Sequence, residues 1–318
     1  MLSSPLIFAA PLQGYTDCSW RMAHAAVLGE GGTPDAYFAP FIRMEKGVPR
    51  QRDLRDALAA QPAGIPCYPQ VIFRDADELL PLIEELAGRG VRHIDLNIGC
   101  PFPPQVKKGR GAGLLASPER LSAALKVLAS VTSVTFSAKM RLGVDSADQW
   151  REVIDAVNEA PLQWLTVHPR SAAQQYGGEC NAEEFAAIAG EAAHPVVYNG
   201  DISSPADVTR VLSGDVNVAG VMVGRGLLAR PSLIAEWRSG CEWEATQRIQ
   251  LLGDLHSLVL GDVKERFTGG DGQILTKMKT FWEYPSLYGE ITRKAAKAVV
   301  KARSLAAYDD AVSNILSL

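Results

Sequence analysis

The sequence predicts an α/β protein, a (β/α)8 TIM barrel followed by a C-terminal helical domain. Three observations lead there. Eight short β-rich runs recur between residues 6 and 223, each followed by a stretch with helical periodicity and a cap or turn signal. The glycine-rich segments NGDISS and VGRGLLARP fall after the seventh and eighth runs, where barrels tend to bind phosphates. The turn after the first run, PLQGYTD, lacks the GxGxxG that a doubly wound sheet places there.

The runs are Leu6–Pro11, Ala36–Phe41, Tyr68–Phe73, His93–Ile98, Thr135–Met140, Trp164–His168, Val196–Asn199 and Gly220–Val223. Between them, DADELLPLIEELAGRG reads as a helix capped by Asp75 or Asp77 and closed by Gly88 and Gly90. SPERLSAALKVLAS opens with Ser117 as N-cap, Pro118 in the first helical position and Glu119 in the first turn. SPADVTRVL repeats that device at Ser204–Pro205. From about residue 241 helical patterns follow one another without strands, broken by TGGDGQ. The expected division is a barrel over 1–240 and a helical domain over 241–318.

The chain has 318 residues, 47 % hydrophobic and 21 % charged, and a net charge of −4. These values describe an ordinary globular protein and do not by themselves point to a nucleic acid. The opening MLSSPLIFAAP has no basic residue before its apolar run, so no leader is expected. No stretch is long and apolar enough for a membrane span, and a cytoplasmic monomer is expected. The five cysteines, Cys18, Cys67, Cys100, Cys180 and Cys241, form no CxxC pair, so no metal site is indicated.

Barrel chemistry collects at the carboxyl ends of the strands. Those ends carry Pro11, Leu12 and Gln13; Arg43; Gln70; Asn97 with Cys100; Lys139 with Arg141; His168; Asn199, Gly200 and Asp201; and Gly224 with Arg225. The set is rich in amide and cationic donors and poor in carboxylates, which suits an anionic cofactor. Lys139, in TFSAKMRLG, either pairs with a carboxylate or meets a ligand anion. With Gly224, Arg225 and the amides near Asn199–Gly200 available to a phosphate, FMN is consistent with the pattern, its ring lying near Lys139. Cys100, between Gly99 and Pro101, would be mainly thiol at neutral pH and able to donate a proton. His168 is either structural or a ligand contact, and Asn97 either braces the loop or meets a ligand. The other four cysteines read as small buried hydrophobes.

These residues resemble the tRNA-dihydrouridine synthases. AAPLQGYTD is similar to the family's APMxGxTD opening, and DLNIGCPFPPQVKKGRGAGLL to its cysteine signature, DLNxGCP followed by GxGAxLL. AKMRLG, VHPRSAAQQYGG, YNGDI and GVMVGRGLLARP resemble four further blocks in the family's order, with weaker similarity through KMKTFWEY. The resemblance implies that Cys100 protonates uracil C5 while reduced FMN delivers hydride to C6. It also implies NADPH as the electron donor, tRNA as the partner, flavin contacts at the strand ends, and Asn97 and Arg141 near the flavin and the base. Three departures stand out: Ala39–Pro40 where many members have Thr/Ser-Glu, Pro103–Pro104 in the substrate loop, and VHPR in place of VHGR. Length and block spacing resemble the bacterial subfamily that acts on D-loop position 16.

An acidic chain must hold RNA through local clusters. In EITRKAAKAVVKARSLAAY, Arg293, Lys297 and Lys301 are spaced i, i+4, i+8, with Lys294 beside them and Ile291, Ala295, Val299 and Leu305 able to face inward. The stripe reads as a solvated face or as a phosphate-binding one. Lys107, Lys108 and Arg110 beyond Cys100, and Arg43, Lys46, Arg50 and Arg52 after the second run, are expected at the barrel mouth. Two other functions compete. A small-molecule FMN enzyme of the dihydroorotate dehydrogenase type would share the flavin chemistry but have no use for a basic helical domain. An RNA-binding module without chemistry would not need Cys100 and Lys139.

Overall fold

The computed structural model describes residues 4–317, so Met1–Ser3 of the opening segment lie outside the described residues. The sheet consists of β1 (Leu6–Ala9), β2 (Ala36–Glu45), β3 (Val48–Pro49), β4 (Cys67–Ile72), β5 (His93–Ile98), β6 (Thr135–Gly143), β7 (Leu162–Ser171), β8 (Val196–Tyr198) and β9 (Gly220–Val223). Eight of these pair in parallel, and β1 closes the ring by pairing with both β2 and β9. The two-residue β3 is an antiparallel appendage of β2, joined through Lys46 and Gly47, both with positive φ. All eight expected strands are present. Three of them run several residues further toward the mouth than their β-rich runs.

Two of the prolines unusual in this sequence, Pro40 and Pro169, sit where the ladder breaks. The register of β2 against β4 shifts between Ala39 and Ile42, around Pro40, and that of β6 against β7 shifts between Arg141 and Gly143, opposite Pro169. Proline has no amide to donate, so each strand bulges at that point.

Alternation along β1 sends Phe8 and Ala10 into the barrel and Ile7 and Ala9 toward the helices. The lower interior is aromatic, with Phe8, Phe38, Tyr68, Trp164 and His93 in mutual ring contact. Above it lies a polar layer of Gln70, Asp95, Ser137 and Thr166, all buried. A hydrophobic floor topped by polar residues places the polar chemistry at the open end of the barrel.

Local capping follows the sequence closely. Asp75 accepts from the Glu78 amide at the start of helix Ala76–Gly88, and Ser204 forms a reciprocal capping box with Asp207. Ser117 differs: its side chain makes no cap hydrogen bond, and the helix Pro118–Lys126 begins on proline and Glu119 alone.

Helices Ala245–Arg266, Asp271–Phe281, Glu283–Leu287, Arg293–Lys301 and Leu305–Leu316 form the C-terminal region. Its centre is held by Tyr308, whose hydroxyl meets His256 Nε2 at 2.7 Å and accepts from Trp282 Nε1 at 3.0 Å. Polar contacts bind it to the first barrel loop and to the helix Cys18–Leu28 that follows: Lys277 to Asp17 at 2.7 Å, Tyr15 to Glu283 at 2.7 Å, and Arg266 to Ser19 at 3.0 Å. This docking carries Tyr284 and Tyr288 to the barrel mouth. No helix among the described residues is long and apolar enough to cross a membrane.

Candidate active site

The strand tips surround one cavity of about 450 Å³ at the carboxyl end of the barrel. Cys100, Pro11, Leu12, Gln13, Gln70, Lys139, His168, Asn199, Gly200, Asp201, Gly224, Arg225, Asn97 and Arg141 all line it. A parallel barrel brings these residues together because every strand ends on the same face.

Cys100 sits half-buried in a loop braced from β5. Asn97 Oδ1 accepts the amides of Gly99 at 3.1 Å and Cys100 at 2.8 Å. The turn that follows packs directly on the cysteine. Gly111 has φ 56°, and a Cβ there would lie 2.8 Å from the Cys100 Cβ, so only glycine fits. The loop is tied down by Arg110, whose buried guanidinium donates to both carboxylate oxygens of Glu78 at 2.5 and 2.8 Å and to the Met44 carbonyl at 3.0 Å. Arg110 is therefore a structural clamp and is not free to meet a phosphate. Arg50 is likewise paired, with Asp53 at 3.2 Å and Glu45 at 3.4 Å.

Burial raises the Cys100 thiol pKa, opposed by the Phe102 amide and then by Arg141 and Lys139, so the group is protonated at neutral pH. Burial pushes Lys139 down to about 7, with Arg141 acting in the same direction and Asp95 opposing it. Asp95 gives its oxygens to Gln70 and Ser137. Lys139 thus faces the cavity with its charge poorly compensated, and is only partly protonated near pH 7. Arg141, which burial lowers to about 10, remains charged and donates to the Ser171 carbonyl at 2.8 Å. His168 is held well below its ordinary range by burial and by the surrounding Arg141, Lys139, Arg170 and Arg225, and is neutral at pH 7. Arg170 Nη1 lies 3.1 Å from His168 Nε2, which makes that nitrogen the acceptor and leaves the proton on Nδ1.

The loops after β8 and β9 form the opposite wall. Asp201 has φ 45° and accepts from Arg170 through both carboxylate oxygens and from Arg225 at 3.1 Å. A Cβ on Gly226 would lie 2.0 Å from the Ile202 carbonyl, so glycine is required for these two loops to meet. Arg225 and Arg141 approach the Tyr176 ring at 4.4 and 5.5 Å from its centroid. Tyr176, Phe102 and Tyr288 are exposed at the cavity rim.

The sequence profile of the family described as Dihydrouridine synthase (Dus) matches residues 8–265. The chain belongs to the dihydrouridine synthase family. It is 32 % identical over 238 residues to the tRNA-dihydrouridine(16) synthase of Neisseria meningitidis serogroup B, covering 71 % of this chain and 69 % of that protein. A "Probable tRNA-dihydrouridine synthase" of Rhodobacter capsulatus is 30 % identical over 234 residues, covering 73 % and 70 %. The "Probable tRNA-dihydrouridine synthase 1" of Synechocystis sp. is 28 % identical over 231 residues, covering 72 % of this chain and 63 % of that relative's length.

In this dihydrouridine synthase family member, Arg43 also lines the cavity, 4.0 Å from Asp53, whereas the other candidate cations stand apart from it. Lys107 and Lys108 are exposed beyond Cys100 and do not line it. Arg293, Lys297 and Lys301 are exposed along helix Arg293–Lys301, whose buried residues are Ala296 and Val299 rather than Ala295. Ile291 is buried just before that helix, and Leu305 is half-buried in the next. All five cysteines are unpaired, and Cys241 is exposed, against its reading as a buried hydrophobe. Among the described residues no cluster of His, Cys, Asp or Glu could hold a metal. Sequence reading missed Asp95, Arg170 and Tyr176 as site residues. The first two lie two positions from Asn97 and His168 on the same strand faces, so period-two alternation could have found them. Tyr284 and Tyr288 arrive only when the C-terminal helices pack on the barrel.

Proposed function

We propose that this chain reduces a uridine of tRNA to 5,6-dihydrouridine, with FMN at the barrel mouth and NADPH as the source of electrons. The reading rests on one observation above all: Cys100, Lys139 and Arg141 line a single cavity in a member of this family. The donor set fits FMN. Lys139 and Arg141 offer positive charge deep in the cavity, and Gly200, Gly224 and Arg225 offer a phosphate the far wall. Bound there, the flavin supplies the hydride that adds to uracil C6. Cys100 Sγ gives its proton to C5, and Lys139 and Arg141 stabilise the thiolate that remains. Asn97 holds the cysteine loop, while the exposed rings of Phe102, Tyr176 and Tyr288 suit a base that has left its stack.

The reading is tested by mapping dihydrouridine in tRNA from cells with and without this gene. Loss of the modification at one or more D-loop positions is expected, and an unchanged map would remove the proposal. FMN affinity should also be linked to Lys139. A ring edge that accepts a hydrogen bond from its ammonium raises its pKa, so binding takes up a proton where free Lys139 is neutral. Affinity is then fully present below about pH 7 and falls as pH rises above it, by up to about tenfold per unit. Titration calorimetry across pH 6–9 should show this slope in the wild type and not in Lys139→Met. Identical profiles would place the ring elsewhere.

We assign the basic stripe to the tRNA backbone. Replacing Arg293, Lys297 and Lys301 together by Gln should flatten the dependence of log affinity on log salt by roughly two to three units for duplex contacts. An unchanged salt slope would take the stripe out of the interface.

A further inference from the structure

We propose that Asp95 is a positioning residue that sets the direction of a relay of side-chain amides ending on the backbone of Cys100. The inference deepens the proposed function, since it rests on reading Cys100 as the proton donor.

Asp95 lies on the inner face of β5, two residues before Asn97, and is completely buried. Ser137 Oγ donates to its Oδ1 at 2.6 Å, and Gln70 Nε2 donates to its Oδ2 at 2.7 Å. With its nitrogen committed to the carboxylate, Gln70 presents Oε1 to the next link, where Asn97 Nδ2 donates at 2.7 Å. Asn97 then presents Oδ1 to the amides of Gly99 and Cys100. Each link follows from the one before it.

The physical point is direction. A primary amide has a donor end and an acceptor end of nearly equal shape, so Gln70 and Asn97 could each be reversed at little steric cost. The two ends of the chain of bonds are different. A carboxylate only accepts, and a backbone amide only donates. Asp95 therefore forces Gln70 to donate toward the barrel interior, and the acceptor it leaves free forces Asn97 to turn its oxygen toward the cysteine loop. Were Gln70 reversed, Asn97 would follow and meet two N–H groups with its own NH2. With Gln70 and Asn97 both buried, such a mismatch is costly. The carboxylate thus acts on the thiol through two intervening amides without touching substrate or cofactor.

The test is a mutant cycle read on the full chain, without tRNA or NADPH, as the rate at which iodoacetamide alkylates Cys100, followed by the mass of the Cys100 peptide. Asp95→Leu frees Gln70 to turn, and alkylation should rise by roughly five- to tenfold as the loop loosens. In a Gln70→Met background the link is already cut, so adding Asp95→Leu should change the rate by less than about twofold. If Asp95→Leu does not fold, Asp95→Ser serves in both backgrounds, because a hydroxyl either donates or accepts and also leaves the direction unset. A core defect with no relay would raise the rate by the same factor with Gln70 present or absent, and that result overturns the proposal, as does an unchanged rate in the single variant. Failure of the wild-type protein to reduce tRNA would instead sink the functional reading while leaving this cycle interpretable.

Discussion

Cys100→Ala is expected to lower dihydrouridine formation by about 10²–10⁴-fold, the usual contribution of a positioned proton donor, with FMN affinity unchanged. Cys100 lines the cavity from its own loop, on a different strand end from Lys139 and Arg225, so truncating it removes a proton and leaves the cationic wall intact. Flavin reduction by NADPH, followed by loss of absorbance without tRNA, should proceed as in the wild type. The defect should appear only when uridine is the acceptor. The sign of the pH dependence also follows. Burial raises the thiol above its ordinary range, so the acid form persists to higher pH than in an exposed cysteine, and activity is lost only as pH climbs through that raised value. Full turnover by the alanine variant would mean that another group protonates C5.

Arg110→Met is expected to destabilise the protein by about 3–5 kcal/mol, because it strands a buried carboxylate. Arg110 and Glu78 are each less than a tenth exposed, and the arginine is bound to both of its oxygens. Removing the guanidinium leaves Glu78 with the Arg74 side chain and backbone amide as its remaining partners, and Arg74 is exposed. The same change frees the Met44 carbonyl and releases the segment that packs Gly111 against Cys100. Denaturant unfolding should show the midpoint shift, and Glu78→Leu in the same chain should recover much of it by removing the orphaned charge. A loss under about 1 kcal/mol would mean that water reaches Glu78 and that the clamp matters little.

The barrel was legible because its strands are buried on both faces, which leaves near-continuous β-rich runs such as those of β5 and β9. The residues at their carboxyl ends were legible for the same reason: parallel strands in a closed ring all finish on one side. Caps at Asp75 and Ser204 were readable because an N-cap bond spans three residues and needs no tertiary partner. Arg110 was counted among the mouth cations because its partner Glu78, 32 residues away, is chosen by the folded packing, whereas Arg50 pairs with the nearby Glu45 and with Asp53 at i+3, a spacing the sequence already offered.

From its own residues, then, the chain determined the periodicity of its strands and helices, the order of its loops and the chemical types delivered to the barrel mouth. Tertiary structure decided which of those charges face the cavity and which are neutralised, how far Cys100 and Lys139 depart from their ordinary protonation, and that tyrosines from residues 284 and 288 complete the rim. The reason is that local propensity acts over a few residues along the chain. Desolvation and ion pairing instead depend on distances across the fold, which exist only once the ring has closed and the helices have docked.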